Sequence, residues 1–140
     1  MSKKDLKDKI DLNEIRILSE ISKLISDDNN NTIHPVWDEI DDKLTLHLFT
    51  YNDRNGQSFL LKSLPGNVKV GILSKMLNYL TDEMPSENKY SVTWIRKEGK
   101  EEQLSYFHGN SIVDIINKFY FGKEVEDISI LEIKLLKNDE

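Results

Sequence analysis

Apolar positions recur along this chain at two periods, and the switches between them mark the elements. Ile15, Leu18, Ile21 and Ile25 fall at helical spacing, with Ile17 and Leu24 widening the stripe. Asp11, with Glu14 three residues on, reads as a capping box that satisfies N–H groups at the helix start. The polar run Asp27-Asp28-Asn29-Asn30-Asn31 ends this helix in a solvated loop. Thr32–Trp37 predicts a short strand, which Pro35, lacking an N–H, confines to a sheet edge or an irregular segment. Asp38-Glu39-Ile40-Asp41-Asp42 follows as an acidic turn.

Leu44–Tyr51 is the clearest strand. Asn52-Asp53-Arg54-Asn55-Gly56 reads as a five-residue hairpin loop into Gln57–Leu64. That pairing sets Tyr51 opposite Gln57, Phe49 opposite Phe59 and His47 opposite Leu61. After Leu64-Pro65-Gly66, Asn67 is placed to cap a second helix with the stripe Leu73, Met76, Leu77, Leu80 and Met84, closed by Pro85. Lys89–Lys97 and Gln103–His108 predict a second hairpin, with Trp94 opposite Tyr106, Val92 opposite His108 and Arg96 opposite Leu104. Ser111 and Asp114 then cap a third helix. Ile112, Val113, Ile115, Ile116, Phe119, Tyr120 and Phe121 leave it almost no polar face, which predicts deep burial, and Gly122 ends it. A last strand spans Asp127–Leu136.

These elements predict an α+β fold in the order α-(β)ββ-α-ββ-α-β, with three helices and a mainly antiparallel sheet of roughly five to seven strands. The expected organisation is a flexible N-terminal segment over 1–10, a single domain over 11–136 and a polar tail over 137–140. The order resembles the α-βββ-α-ββ-α order of the small acidic bacterial secretion chaperones. That resemblance implies an effector-binding dimer; the terminal strand departs from it.

Composition narrows the chemistry. The chain has 140 residues and no cysteine, which excludes disulfide scaffolds, thiolate zinc sites and cysteine nucleophiles. Alanine is also missing, which fits the codon bias of an AT-rich genome and leaves core gaps to Leu, Ile, Val and aromatics. No apolar run approaches the roughly 20 residues of a membrane span, and Met1-Ser2-Lys3-Lys4-Asp5 lacks a signal peptide's apolar segment. A soluble, cytoplasmic protein without membrane contact is expected. Nineteen Lys and Arg against 25 Asp and Glu give a net charge of −6, which disfavours phosphate backbones and favours a basic protein partner.

Both faces of the first hairpin are apolar, so it needs cover on both sides. Either the chain's own helices supply it, or Leu44, Leu46, Leu48 and Leu60 dock a partner or a second copy, with Asp38, Glu39, Asp41 and Asp42 meeting a basic surface. This makes a non-enzymatic adaptor, an immunity-type inhibitor or a secretion-chaperone-like factor the leading expectation. A nucleic-acid-binding alternative places Tyr90, Trp94, Arg96 and Tyr106 on one platform, where bases stack on rings and cations meet phosphates. An enzyme alternative pairs His108 with an acidic loop residue. Only His34, His47 and His108 are available, no nucleophile elbow, phosphate loop or calcium loop occurs, and neither metal nor cofactor is predicted.

Overall fold

The computed structural model describes residues 11–26 and 31–136, so the readings of 1–10, of the polar run 27–30 and of 137–140 lie outside it. The described elements are α1 (Leu12–Ser26), β1 (Asn31–Ile40), β2 (Lys43–Asn52), β3 (Gln57–Gly66), α2 (Lys69–Asn78), β4 (Asn88–Arg96), β5 (Gln103–Gly109), α3 (Ile112–Tyr120) and β6 (Ile128–Leu136). A π-helical turn, Tyr79–Glu83, and a 3-10 turn, Met84–Ser86, carry α2 onward to β4. The strands form two antiparallel sheets of three, ordered β1-β2-β3 and β5-β4-β6, instead of the expected single sheet. Among the described residues no helix is long and apolar enough to cross a membrane.

Local chemistry sets the boundaries. Asp11 Oδ1 accepts the Asn13 N–H at 2.8 Å, and Ser111 Oγ accepts the Asp114 N–H at 3.2 Å, so both sequence-read caps form. The cap read at Asn67 does not: the residue before α2 is Val68, which has no side chain able to bond the helix start. Asp41 and Asp42 have φ of +50° and +65°, and this left-handed pair makes the two-residue turn of a tight hairpin. Ile40 therefore pairs with Lys43, and β1 runs three residues beyond the predicted strand, carrying Asp38 and Glu39 out of the turn and into the sheet. Pro35 sits opposite Leu48 on this edge strand, as its missing N–H requires.

Both hairpin registers differ from the sequence reading. Asn52 pairs with Gln57, so the first loop is one residue shorter than expected. Its own polar groups tighten it: Asn52 Oδ1 accepts from Arg54 N, Asn55 Oδ1 from Gln57 N, and Asn52 O from Gly56 N, with Gly56 at φ +66°. Phe49 consequently faces Leu60. A bulge then leaves Leu61 unpaired and sets His47 opposite Ser63. In the second hairpin Trp94 faces Gln103, Ser91 faces Tyr106 and Lys89 faces His108. Ile95 and Arg96 pair only with Ser129 and Ile128 of β6, a third strand that local spacing could not reveal.

Two apolar clusters follow. In the first, Ile17 and Ile21 of α1 and Ile72, Leu73 and Met76 of α2 close over Leu46 and Leu48. The second gathers Tyr90, Val92, Trp94, Phe107 and Ile128 of the second sheet with Ile115 and Phe119 of α3. Each such buried side chain contributes roughly 1.5–3 kcal/mol. Phe59 of β3 belongs to the second cluster, stacked on Phe119 at 4.9 Å and edge-on to Trp94 at 5.6 Å. It ties the two sheets together. Helix α3 is covered on one side only: Ile115 and Phe119 are buried, whereas Ile112, Val113 and Ile116 face solvent, which corrects the expectation of deep burial.

Candidate interaction surface

Strand alternation divides β1 and β2 between two environments. Ile33, Trp37, Leu44, Leu46 and Leu48 point to the side packed by α1 and α2. His34, Val36, Asp38 and Ile40 point to the other side and are all exposed, as the alternating burial along β1 records. Opposite them, Thr45, His47, Phe49 and Tyr51 of β2 are half-buried. Leu60 stands opposite Phe49 on the reverse side and is only 8% exposed, beside Lys118 and Phe121. Leu46 and Leu48 are fully buried core and Leu44 is partly buried against the same cluster, so none of these leucines is the docking surface considered from sequence. The chain's own helices cover that face. Its reverse is the face left partly open.

Phe121 closes part of the reverse. Its ring lies 4.9 Å from the His47 ring and 5.8 Å from that of Phe49, carried there by the chain reversal at Gly122, where φ is +74°. This turn is locked by the Lys123 N–H donating to Tyr120 O at 2.9 Å. Lys123 Nζ donates to Ser58 O and lies 4.6 Å above the Phe59 ring. Burial pulls the Lys123 ammonium down to about 8, since a charge is costly where water is scarce. His47 itself is held by Ser63, with Nδ1 2.7 Å from the hydroxyl oxygen, and Nε2 lies 3.9 Å from Asp38. Val36, 36% exposed, and Ile40, 63% exposed, then flank Asp38 along β1. Asp41 and Asp42, also exposed, complete an acidic rim at the hairpin tip, whereas Glu39, exposed as well, stands opposite Leu44 and alternates to the other side of the strand.

The sequence reading located the acidic rim but missed Val36, Ile40, Phe49 and Phe121. The signal for the first two lay in the alternation through 34–40, hidden because Asp38 and Glu39 were read as a turn. Phe121 could not be found from local pattern, because its position depends on where α3 docks.

The proposed aromatic platform does not assemble. Tyr90 and Trp94 are buried in the second cluster, where the indole N–H donates to Ser105 Oγ at 3.0 Å, so neither can stack on a base. Arg96 lies over the Trp94 ring at 5.4 Å and donates to Asn55 O. Tyr106 alone of the rings is open, 57% exposed on the opposite side of the sheet, with Lys89 Nζ 5.0 Å from its centre. Tyr106 is parted from the other three because the true register moved it from opposite Trp94 to opposite Ser91.

His108 lies beside a cleft of about 230 Å³ between β3 and β5, which Arg54, Phe59, Gln103, Tyr106 and Lys118 also line. Burial, followed by the nearby Lys89 charge, lowers the His108 pKa, and Glu87 only partly counters this. Glu87 is itself engaged as acceptor from the Tyr79 hydroxyl. Lys118, nearly buried, donates to the His108 carbonyl at 2.6 Å and lies 3.6 Å from Asp114 Oδ2. The buried ammonium is thereby satisfied by groups of its own helix and of β5. Among the described residues no three His, Asp or Glu side chains are grouped to hold a metal ion. Compared with family models, curated proteins and solved structures, the chain matches none of them.

Proposed function

We propose that this chain is a cytoplasmic, non-enzymatic binding protein that docks a basic protein partner on the open face of β1 and β2. One observation carries the reading: Val36 and Ile40 stand exposed on either side of Asp38, with Asp41 and Asp42 at the rim. Interfaces combine an apolar centre with a polar rim, and rim carboxylates steer a cationic partner while the apolar centre resists dissociation. The net charge of −6 acts in the same direction over longer range. An immunity-type inhibitor of a basic toxin or nuclease is one specific form of this function. The chain's resemblance to the secretion chaperones is one of element order and acidity.

The test is capture from native lysate by the tagged chain, treated with nuclease and compared with a Val36→Asp/Ile40→Asp variant. Recovery of one stoichiometric basic protein by the wild type, lost in the variant and weakened by salt, supports the proposal. Equal recovery by both chains, or recovery of nucleic acid alone, overturns it.

A further inference from the structure

Strand β6 is hydrogen-bonded to β4 along one side, and no described strand pairs with its other side. Free strand edges are templates for pairing, and proteins usually blunt them. This one carries Leu131 and Leu135, 51% and 56% exposed, flanking Glu132 and Lys134. Glu132 and Lys134 are self-complementary about Ile133, whereas Leu131 is the extra residue of a bulge between the Thr93 and Trp94 pairings. In an antiparallel pair with its own copy, centred on Ile133, Glu132 meets Lys134 of the second copy. The two-fold axis then repeats this match.

The register keeps the chemistry consistent across faces. Ile133 and Leu135 lie opposite Val92 and Tyr90, on the side of the sheet that α3 covers, whereas Glu132 and Lys134 lie opposite Thr93 and Ser91 on the reverse. Ile133 and Leu135 therefore lie on the α3 side and the charge pairs on the other. Helix α3 extends the apolar side. At 3.6 residues per turn, Ile112, Ile116 and Tyr120 share the flank turned away from Asp114 and Lys118, which face β3. Ile112 and Ile116 have no cover on this flank, and the two-fold axis would bring the same flank of a second copy towards it. A strand edge alone supplies less than the roughly 800 Å² per partner of a stable interface, and the α3 flank enlarges it.

We infer that a second copy of this chain pairs through β6, joining the two β5-β4-β6 sheets into one continuous six-stranded sheet with α3 and its symmetry mate on the same side. This surface is separate from the acidic face of β1 and β2, so both can be occupied at once.

Sedimentation equilibrium of the full chain, from low to high micromolar concentration, tests the pairing. The wild type is expected at twice the 16.3 kDa protomer mass. Leu131→Lys/Leu135→Lys, at exposed positions that leave the core intact, is expected as a folded monomer by circular dichroism. Glu132→Lys places like charges opposite each other twice and is expected to weaken association roughly tenfold. Adding Lys134→Glu restores both pairs with reversed polarity and should recover the dimer. A monomeric wild type, or a dimer indifferent to Glu132→Lys, overturns the inference. So does failure of the double swap to restore association.

Discussion

The Phe59 ring stacks on Phe119 at 4.9 Å and 22°, so a β3 residue of the first sheet is seated in the core of the second. Phe107 and Trp94 close on Phe59 edge-on, at 5.2 and 5.6 Å. Besides this ring, Phe121 packed on His47 and Phe49 and the polar bonds from Arg96 to Asn55 and from Lys123 to Ser58 join the two halves. Phe59→Ala removes the stack and opens a cavity at the junction. It is expected to cost about 3–5 kcal/mol, measured as a lowered urea midpoint. A loss below about 1 kcal/mol would show that the junction does not depend on the ring.

The tight turn at Asp41 and Asp42 holds two non-glycine residues at positive φ. Asparagine followed by glycine suits this geometry better, because glycine has no Cβ to clash and asparagine tolerates the left-handed region. Asp41→Asn/Asp42→Gly is therefore expected to stabilise the chain by about 0.5–1 kcal/mol in denaturant unfolding. The same change removes two rim carboxylates, so affinity for a basic partner should fall as stability rises. That opposition separates a docking role for these acids from a purely architectural one.

His108 couples stability to acid. Its folded pKa lies below the ordinary value of 6.5, first through burial and then through Lys89. Below pH 6.5 the unfolded chain takes up a proton that the folded chain resists, so this contribution to stability is present above that pH and lost as pH falls through it. Urea midpoints of the wild type and of His108→Asn, compared from about pH 7.5 to about pH 5.5, should show a shallower acid decline in the variant. Parallel declines would assign the acid sensitivity to other groups.

Lys123 acts at the opposite end of the scale. With its folded pKa at about 8 and an unfolded value of about 10.4, the folded chain gives up this proton first. Between those values the unfolded state binds more protons, so stability from this group rises with pH across the window. Relative to Lys123→Met, the wild type should therefore gain stability from about pH 7 to about pH 10. Tyr79, whose hydroxyl is pushed up by burial and by Glu87, is common to both chains and cancels in the difference. A constant difference across the window would place the Lys123 ammonium in ordinary solvent.

Much of the fold was legible from local pattern. The α1 helix with Ile17, Leu18, Ile21 and Ile25 turned inward, the caps at Asp11 and Ser111, the edge placement of Pro35 and the five later strands each rest on interactions within a few residues, which the sequence states directly; Ile15 and Leu24, read into the same stripe, face solvent. The length of β1 was obscured because an acidic run resembles a turn until the conformations of Asp41 and Asp42 are known. Both hairpin registers escaped for a related reason. One was set by side chains folding back inside the 53–56 loop, the other by competition from β6 for the end of β4.

Sequence alone determined the element types, the acidic balance and the exclusion of thiol chemistry, because propensity, charge and residue identity are properties of short segments or of composition. The tertiary structure decided which leucines became core, where Trp94 and Tyr106 parted, and which faces of β1 and α3 remained open. Those outcomes depend on long-range pairing. A one-residue change in register exchanges the two faces of a strand, and nothing local to Val36 or Ile40 reveals that α1 and α2 pack on the other side.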